Sequence, residues 1–168
     1  MDELTAIATQ QLTRIKVVLG QLGLSYVELP AQMFGVGVAV GFSETDYCVL
    51  SIMGGGSEGQ LMVTSGIAKD INRDQMQALE VANLFNQRNS SHTVYLHDAE
   101  AGWSLLCQRT TPLEVFLDVP QFLEAVVRGI PSAAREMRDE LRNERTLGGQ
   151  DWQWTAEDHQ GLLFRSMI

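Results

Sequence analysis

Between Leu4 and Leu22 the apolar residues Leu4, Ile7, Ala8, Leu12, Ile15, Leu19 and Leu22 recur at steps of three and four, with Thr, Gln, Arg and Lys between them. That period gathers them on one stripe of an amphipathic helix, and Gly20 and Gly23 mark its end. From Leu24 to Gly66 the pattern becomes that of strands. The runs MFGVGVAVGF, TDYCVLSIM and QLMVTSG are rich in β-branched and aromatic residues and are separated by Gly or by Ser/Glu/Thr clusters, which predicts three strands. A short lead-in around Tyr26 to Leu29 is a candidate edge strand.

The helical period returns after Asp74, where Met76, Leu79, Ala82 and Phe85 form one stripe and Val81 and Leu84 widen it. Asp74 followed by Gln77 is a capping-box pattern, and Asn89 and Ser90 suit the end of the helix. HTVYLHD and GWSLLCQRT then read as a hairpin around Ala99-Glu100-Ala101-Gly102. A second capping-box pattern, Asp118 with Gln121, precedes a long helix with Pro120 in its first turn. Phe122, Leu123, Val126 and Val127 line its first half. Gly129-Ile130-Pro131 interrupts it, and Ile130, Ala134, Met137 and Leu141 resume the stripe, so the segment is one kinked helix or two short ones.

The architecture expected is α+β: helix, three antiparallel strands, helix, two strands, helix, in a single domain over residues 1–147. Residues 148–168 form a C-terminal extension after a glycine hinge. Its Trp152, Trp154, Leu162, Leu163 and Phe164 are too apolar to stay free in water, and are expected to pack on the domain or across a dimer, in a groove that a client would otherwise use. The mixed charges from Arg135 to Arg145, Arg138 among them, read as a solvated helix face with i,i+4 pairs.

Two glycine-rich stretches invite a phosphate-binding reading. In GVGVAVG the glycines lie inside a strand pattern, with no helix following where a pyrophosphate would sit; GGGSEG, at residues 54–59, lacks the Gly-Lys-Ser/Thr ending of a P-loop. The alternative is structural: residues 54–59 connect strands, while Gly35, Gly37 and Gly41 thin a strand face so that another backbone or a helix can approach closely.

Composition then narrows the classes. In a chain of 168 residues, 45% apolar and 20% charged residues are ordinary globular usage. A formal net charge of −9 opposes binding to a phosphate backbone, and no Lys/Arg cluster offsets it locally, so no nucleic-acid partner is expected. With no basic, apolar leader and no membrane-length apolar run, the expectation is a soluble cytoplasmic protein without a membrane partner. Cys48 and Cys107 lie in strand-like runs without CxxC spacing and read as buried free thiols.

No catalytic signature emerges from the scarce residues. His92 and His97 are five apart on one strand and should face opposite ways, so they cannot share a metal. Asp98 and Glu100 sit at a hairpin turn, where solvation keeps carboxylates ordinary. An enzyme is not expected, and no metal or cofactor is called for. Asn83 and Asn86 are neighbours on one helix face, and a half-buried Asn must find partners for its carbonyl and both amide protons. They read as a structural bracket between helix and following strand, with a ligand-contacting pair as the alternative.

The element order, together with "ALEVANLFNQRNSSHTVYLHD", "GWSLLCQRTTPLEV" and "VPQFLEAVV", resembles the YbjN family, whose fold is that of the class I type III secretion chaperones. The resembling positions are Asn83 and Asn86, Tyr95 within TVYLHD, and the Pro112-Leu113 dipeptide. The Asn89-Ser90-Ser91 loop and the Gly-Pro break in the last helix depart from the family's pattern. The resemblance implies a homodimer, or a heterodimer with a related subunit, that holds a client or partner protein without catalysis, as a chaperone or adaptor. The alternative is a regulatory, sensory-transduction-type domain binding a small ligand between sheet and helices.

Overall fold

The computed structural model describes residues 3–29, 36–43, 46–53, 59–71, 75–99 and 102–144. The extension with Trp152, Trp154, Leu162, Leu163 and Phe164 lies outside them, as do Gly35, Gly54 to Ser57 and Glu58, the expected cap Asp74, and Glu100. The elements are α1 (Glu3–Gln21), β1 (Tyr26–Glu28), β2 (Gly37–Gly41), β3 (Tyr47–Met53), β4 (Gln60–Ile71), α2 (Gln75–Arg88), β5 (Thr93–Ala99), β6 (Gly102–Pro112), α3 (Leu113–Asp118) and α4 (Pro120–Glu144). This is an α+β fold built on one sheet of six strands in the order β1-β2-β3-β4-β6-β5, antiparallel throughout. The lead-in strand pairs with β2 at one edge; the hairpin β5–β6 adds on the other side through β6.

One face of the sheet carries the main core. Val38, Val40, Cys48, Leu50, Leu61, Val63, Leu105 and Cys107 are buried there against the apolar stripes of α1, α2 and α4. Alternation sends Ala39, Val49 and Leu106 to the other face, where they cluster with Leu29 and half-buried Tyr95.

Helix α1 ends in a Schellman motif. Leu24 N–H donates to Leu19 O (2.9 Å) and Gly23 N–H to Gly20 O (3.1 Å), with Gly23 in the left-handed region at φ +68°. Leu19 and Leu24, the pair that such a motif brings together, are both buried.

Helix α4 is one continuous helix through Pro131. Leu123, Val126, Val127, Ile130, Ala134, Met137 and Leu141 are buried along it. Its start differs from the capping-box expectation. Asp118 closes α3, a short helix that the sequence pattern does not announce, and Val119 separates it from Pro120 in a non-helical conformation (φ −129°, ψ 79°). Proline disfavours helical backbone in the residue before it, so Pro120 sets the break one residue later than Asp118.

Two expectations about helix faces need correction. On α2 the buried residues are Ala78, Ala82 and Phe85, while Met76, Leu79 and Leu84 are 60%, 36% and 49% exposed. The helix packs on β5 and β6 at the end of the sheet, and the small residues Ala78 and Ala82 let it approach closely. On α4, Arg138 is not solvated: it is 3% exposed, and its Nη2 donates to Gly66 O at 3.4 Å. Arg138 stands four residues after Ala134 and three before Leu141, hence on the stripe itself. Gly66 lies where the β4–β6 register shifts.

Among the glycines, Gly41 faces Tyr47 across the β2–β3 pair, and a Cβ there would lie 2.4 Å from the Tyr47 ring. The close neighbour that a missing side chain admits is thus an aromatic ring on the adjacent strand.

Candidate functional site

The asparagines come apart in the structure. Asn86 reaches from α2 to β5 and clasps one residue twice: Val94 N–H donates to its Oδ1 and its Nδ2 donates to Val94 O, both at 2.7 Å. One amide side chain thus satisfies both backbone groups of Val94. Asn83, one turn earlier, is exposed and lies outside this clasp. Asn89 Nδ2 donates to Phe85 O at 3.2 Å and ties off the end of α2.

The other residues of the family-like segments lie elsewhere. Tyr95 belongs to the cluster on the second sheet face, where burial pushes its phenol above the ordinary range. Pro112 ends β6, and Leu113 opens α3 as a buried residue whose N–H donates to Gly59 O at 2.9 Å. These positions fix junctions between elements. They do not converge on one cavity.

A groove of about 300 Å³ runs between α2 and the C-terminal half of α4. Val81, Leu84, Phe85 and Leu141 form its apolar floor, and Gln77, Glu80 and Glu140 its polar rim. Arg88 of α2 pairs with Glu140 of α4 beside it. Leu84, 49% exposed, belongs to this groove, while Met76 and Leu79 are exposed elsewhere on the same helix and do not line it. Singly exposed apolar residues such as Met76 and Leu79 are normal, whereas an apolar floor open to solvent suits a contact surface. Periodicity had assigned these residues to the core; a charge-rimmed helix at the end of a sheet was the unread signal.

A second concavity opens between α4 and the start of β5. Thr93 pairs with Gln108, and one further step in this register sets His92 opposite Arg109. Both point to the helix side, where the Arg109 guanidinium lies over the Phe122 ring, 4.9 Å from its centroid. His92 precedes the strand instead of lying within it, and its Nδ1 is 3.1 Å from Ser91 Oγ. Burial, and then the nearby Arg109 charge, hold its imidazole below the usual histidine pKa.

Neither cysteine has an activating environment. Both are buried and free; burial raises the Cys48 thiol and pushes Cys107 up to about 12. Among the described residues no group of three or more His, Cys, Asp or Glu side chains is arranged to hold a metal. No described helix is long and apolar enough to cross a membrane.

No protein-family model matches the chain, and no curated protein matches it in sequence. Solved structures do. An uncharacterized protein from Methanothermobacter thermautotrophicus is similar with a TM-score of 0.59 at 13% identity, covering 80% of this chain and 98% of that one. YbjN from E. coli, described as a candidate transcription regulator, is similar with a TM-score of 0.52 at 10% identity, covering 78% of this chain and 90% of that one. At these identities the likeness is one of fold, and the chain has a YbjN-like fold.

Proposed function

We propose that the chain is a non-catalytic protein-binding module, chaperone- or adaptor-like, and that its partner docks on the α2–α4 face. The observation that carries this reading is the open groove between α2 and α4, floored by Val81, Leu84, Phe85 and Leu141, with Leu84 49% exposed. Apolar anchors entering such a groove are the usual source of affinity when a partner helix or extended segment docks. The partner suited to it has apolar anchors flanked by Lys or Arg, because Glu80 rims the groove, where Glu140 is already paired with Arg88, and the whole chain carries −9.

The reading includes a dimer formed away from this face, since two copies meeting there would oppose their Glu80 carboxylates and the formal charge of −9 on each chain. A fluorescently labelled amphipathic peptide with basic flanks, and the same apolar sequence with acidic flanks, test both parts. Anisotropy should show the basic peptide binding and the acidic one not, with Leu84→Asp weakening binding at least tenfold. Equal binding of both peptides, or no effect of Leu84→Asp, would remove the proposal. Sedimentation of the same samples should give one dimeric species for wild type and variant alike. A dimer lost in Leu84→Asp would instead assign the face to a second copy.

A further inference from the structure

The His92–Arg109 concavity has the chemistry of a ligand site. Arg109 and His92 sit side by side on β6 and just before β5, and among the described residues Arg109 has no carboxylate partner, its guanidinium lying over the Phe122 ring instead. In a chain with 21 acidic and 12 basic residues, a guanidinium left without an anion in a recess is conspicuous, because most of the described arginines have a carboxylate within reach: Arg14, Arg88, Arg128 and Arg135 are all paired. Among the described residues His92 Nε2 is buried without a hydrogen-bond partner, so a ring nitrogen capable of donating is unused on a residue that feels the Arg109 charge.

The surroundings divide into two halves. On the strand side, Ser91, Thr93 and Thr110 join His92 and Arg109 around a polar basin of about 320 Å³. On the helix side, Phe122, Val126, Gly129 and Ile130 wall a cleft of about 210 Å³ that shares Ser91, His92 and Arg109 with that basin. At Gly129 nothing lies within 4 Å of where a Cβ would be, so the glycine leaves open space along the helix wall.

We propose that this concavity binds a small organic anion, its carboxylate held by Arg109 and His92 and its apolar body lying along α4 at Gly129. Arginine suits a carboxylate through two parallel N–H bonds, and the contact with the Phe122 ring steadies the guanidinium at the recess. A neutral imidazole can complete the set by donating from Nε2. The apolar cleft supplies the body of the ligand with the burial that a bare inorganic ion lacks. This site lies apart from the α2–α4 face and stands or falls independently of partner binding there.

The test uses the whole chain and follows the His92 ring signals by NMR at fixed pH, with benzoate and inorganic phosphate as probes. Benzoate should shift His92 saturably, and Arg109→Gln should weaken that binding at least tenfold. Should Arg109→Gln fail to fold, Arg109→Lys keeps the charge but loses the planar fork, and is expected to weaken benzoate binding as well. Gly129→Leu fills the open space without touching the polar half, so it should abolish the benzoate response and leave the weaker phosphate response intact. The proposal is overturned by a shift that never saturates, by a response that persists unchanged in the Arg109 variants, or by a Gly129→Leu protein that binds benzoate as before.

Discussion

The thiol of Cys48 on β3 points at the carbonyl of Val127 on α4, with Sγ 3.6 Å from the oxygen. Val127 is four residues before Pro131, so its carbonyl is the one that a proline inside a helix leaves without an N–H partner. A buried cysteine on the sheet thus answers a defect in the helix. The pairing explains how α4 stays continuous through Pro131 within a tightly buried contact.

That relationship sets up a double-mutant cycle. Cys48→Ala should destabilise the protein more when Pro131 is present than in a Pro131→Ala background, where residue 131 supplies the missing N–H. The expected coupling is about 0.5 to 1 kcal/mol, the scale of a weak S–H donor. Chemical denaturation measures it, and equal costs in both backgrounds would show that the thiol does no more than fill space.

The clasp of Asn86 on Val94 predicts unequal consequences for two neighbouring asparagines. Asn86→Ala removes the partner of both backbone groups of Val94 and should cost about 1 to 3 kcal/mol. Asn83 is exposed, and its replacement by Ala should stay within about 0.5 kcal/mol. Urea midpoints for the two variants give the comparison directly; similar values would contradict the assignment of the bracket to Asn86 alone.

The two glycines at the end of α1 should respond in opposite directions. Gly20 is helical and exposed, and a methyl group added there would meet nothing within 4 Å, so Gly20→Ala should stabilise by about 0.5 to 1 kcal/mol. Gly23 holds a positive φ in the Schellman motif, and Gly23→Ala should destabilise by about 1 kcal/mol. Thermal melts rising for the first and falling for the second are the expected result.

His92 makes stability pH-dependent with a definite sign. Its folded-state pKa is lowered, first by burial and then by Arg109, so the unfolded chain binds the proton more readily, near its ordinary value of about 6.5. The contribution is complete above that value and is lost as pH falls through it toward the lower folded pKa. Melting temperature should therefore drop between neutral and mildly acidic pH, and His92→Gln should reduce the drop. An identical pH profile in His92→Gln would locate the effect elsewhere.

Much of this fold was legible along the chain because it depends on neighbours close in sequence. The stripe from Leu123 to Leu141, the hairpin joining β5 to β6 and the lead-in strand at Tyr26 follow from local period and turn chemistry, and the structure has each of them. Other features depend on what an element meets after the chain has folded. Periodicity shows that α2 has an apolar face, but only its position over β5 and β6 selects Ala78, Ala82 and Phe85 for burial and leaves Met76, Leu79 and Leu84 outside. Spacing puts Arg138 on the apolar stripe, but only the fold supplies the Gly66 carbonyl that gives the buried guanidinium a partner.

The candidate site shows the same division in sharper form. Spacing could pair Asn83 with Asn86, since both lie on one helix, yet the partner that distinguishes them, Val94, comes from the strand packed alongside. His92 and Arg109 are separated by the whole hairpin and carry no motif that links them. Strand register brings them together, and α4 then encloses them with Phe122 and Gly129. The sequence by itself determined the elements other than the short α3, their order and the absence of a local catalytic motif, because these are short-range properties. Tertiary structure decided which helix face stays open and which distant polar groups share a recess, because both depend on packing between segments remote in the chain.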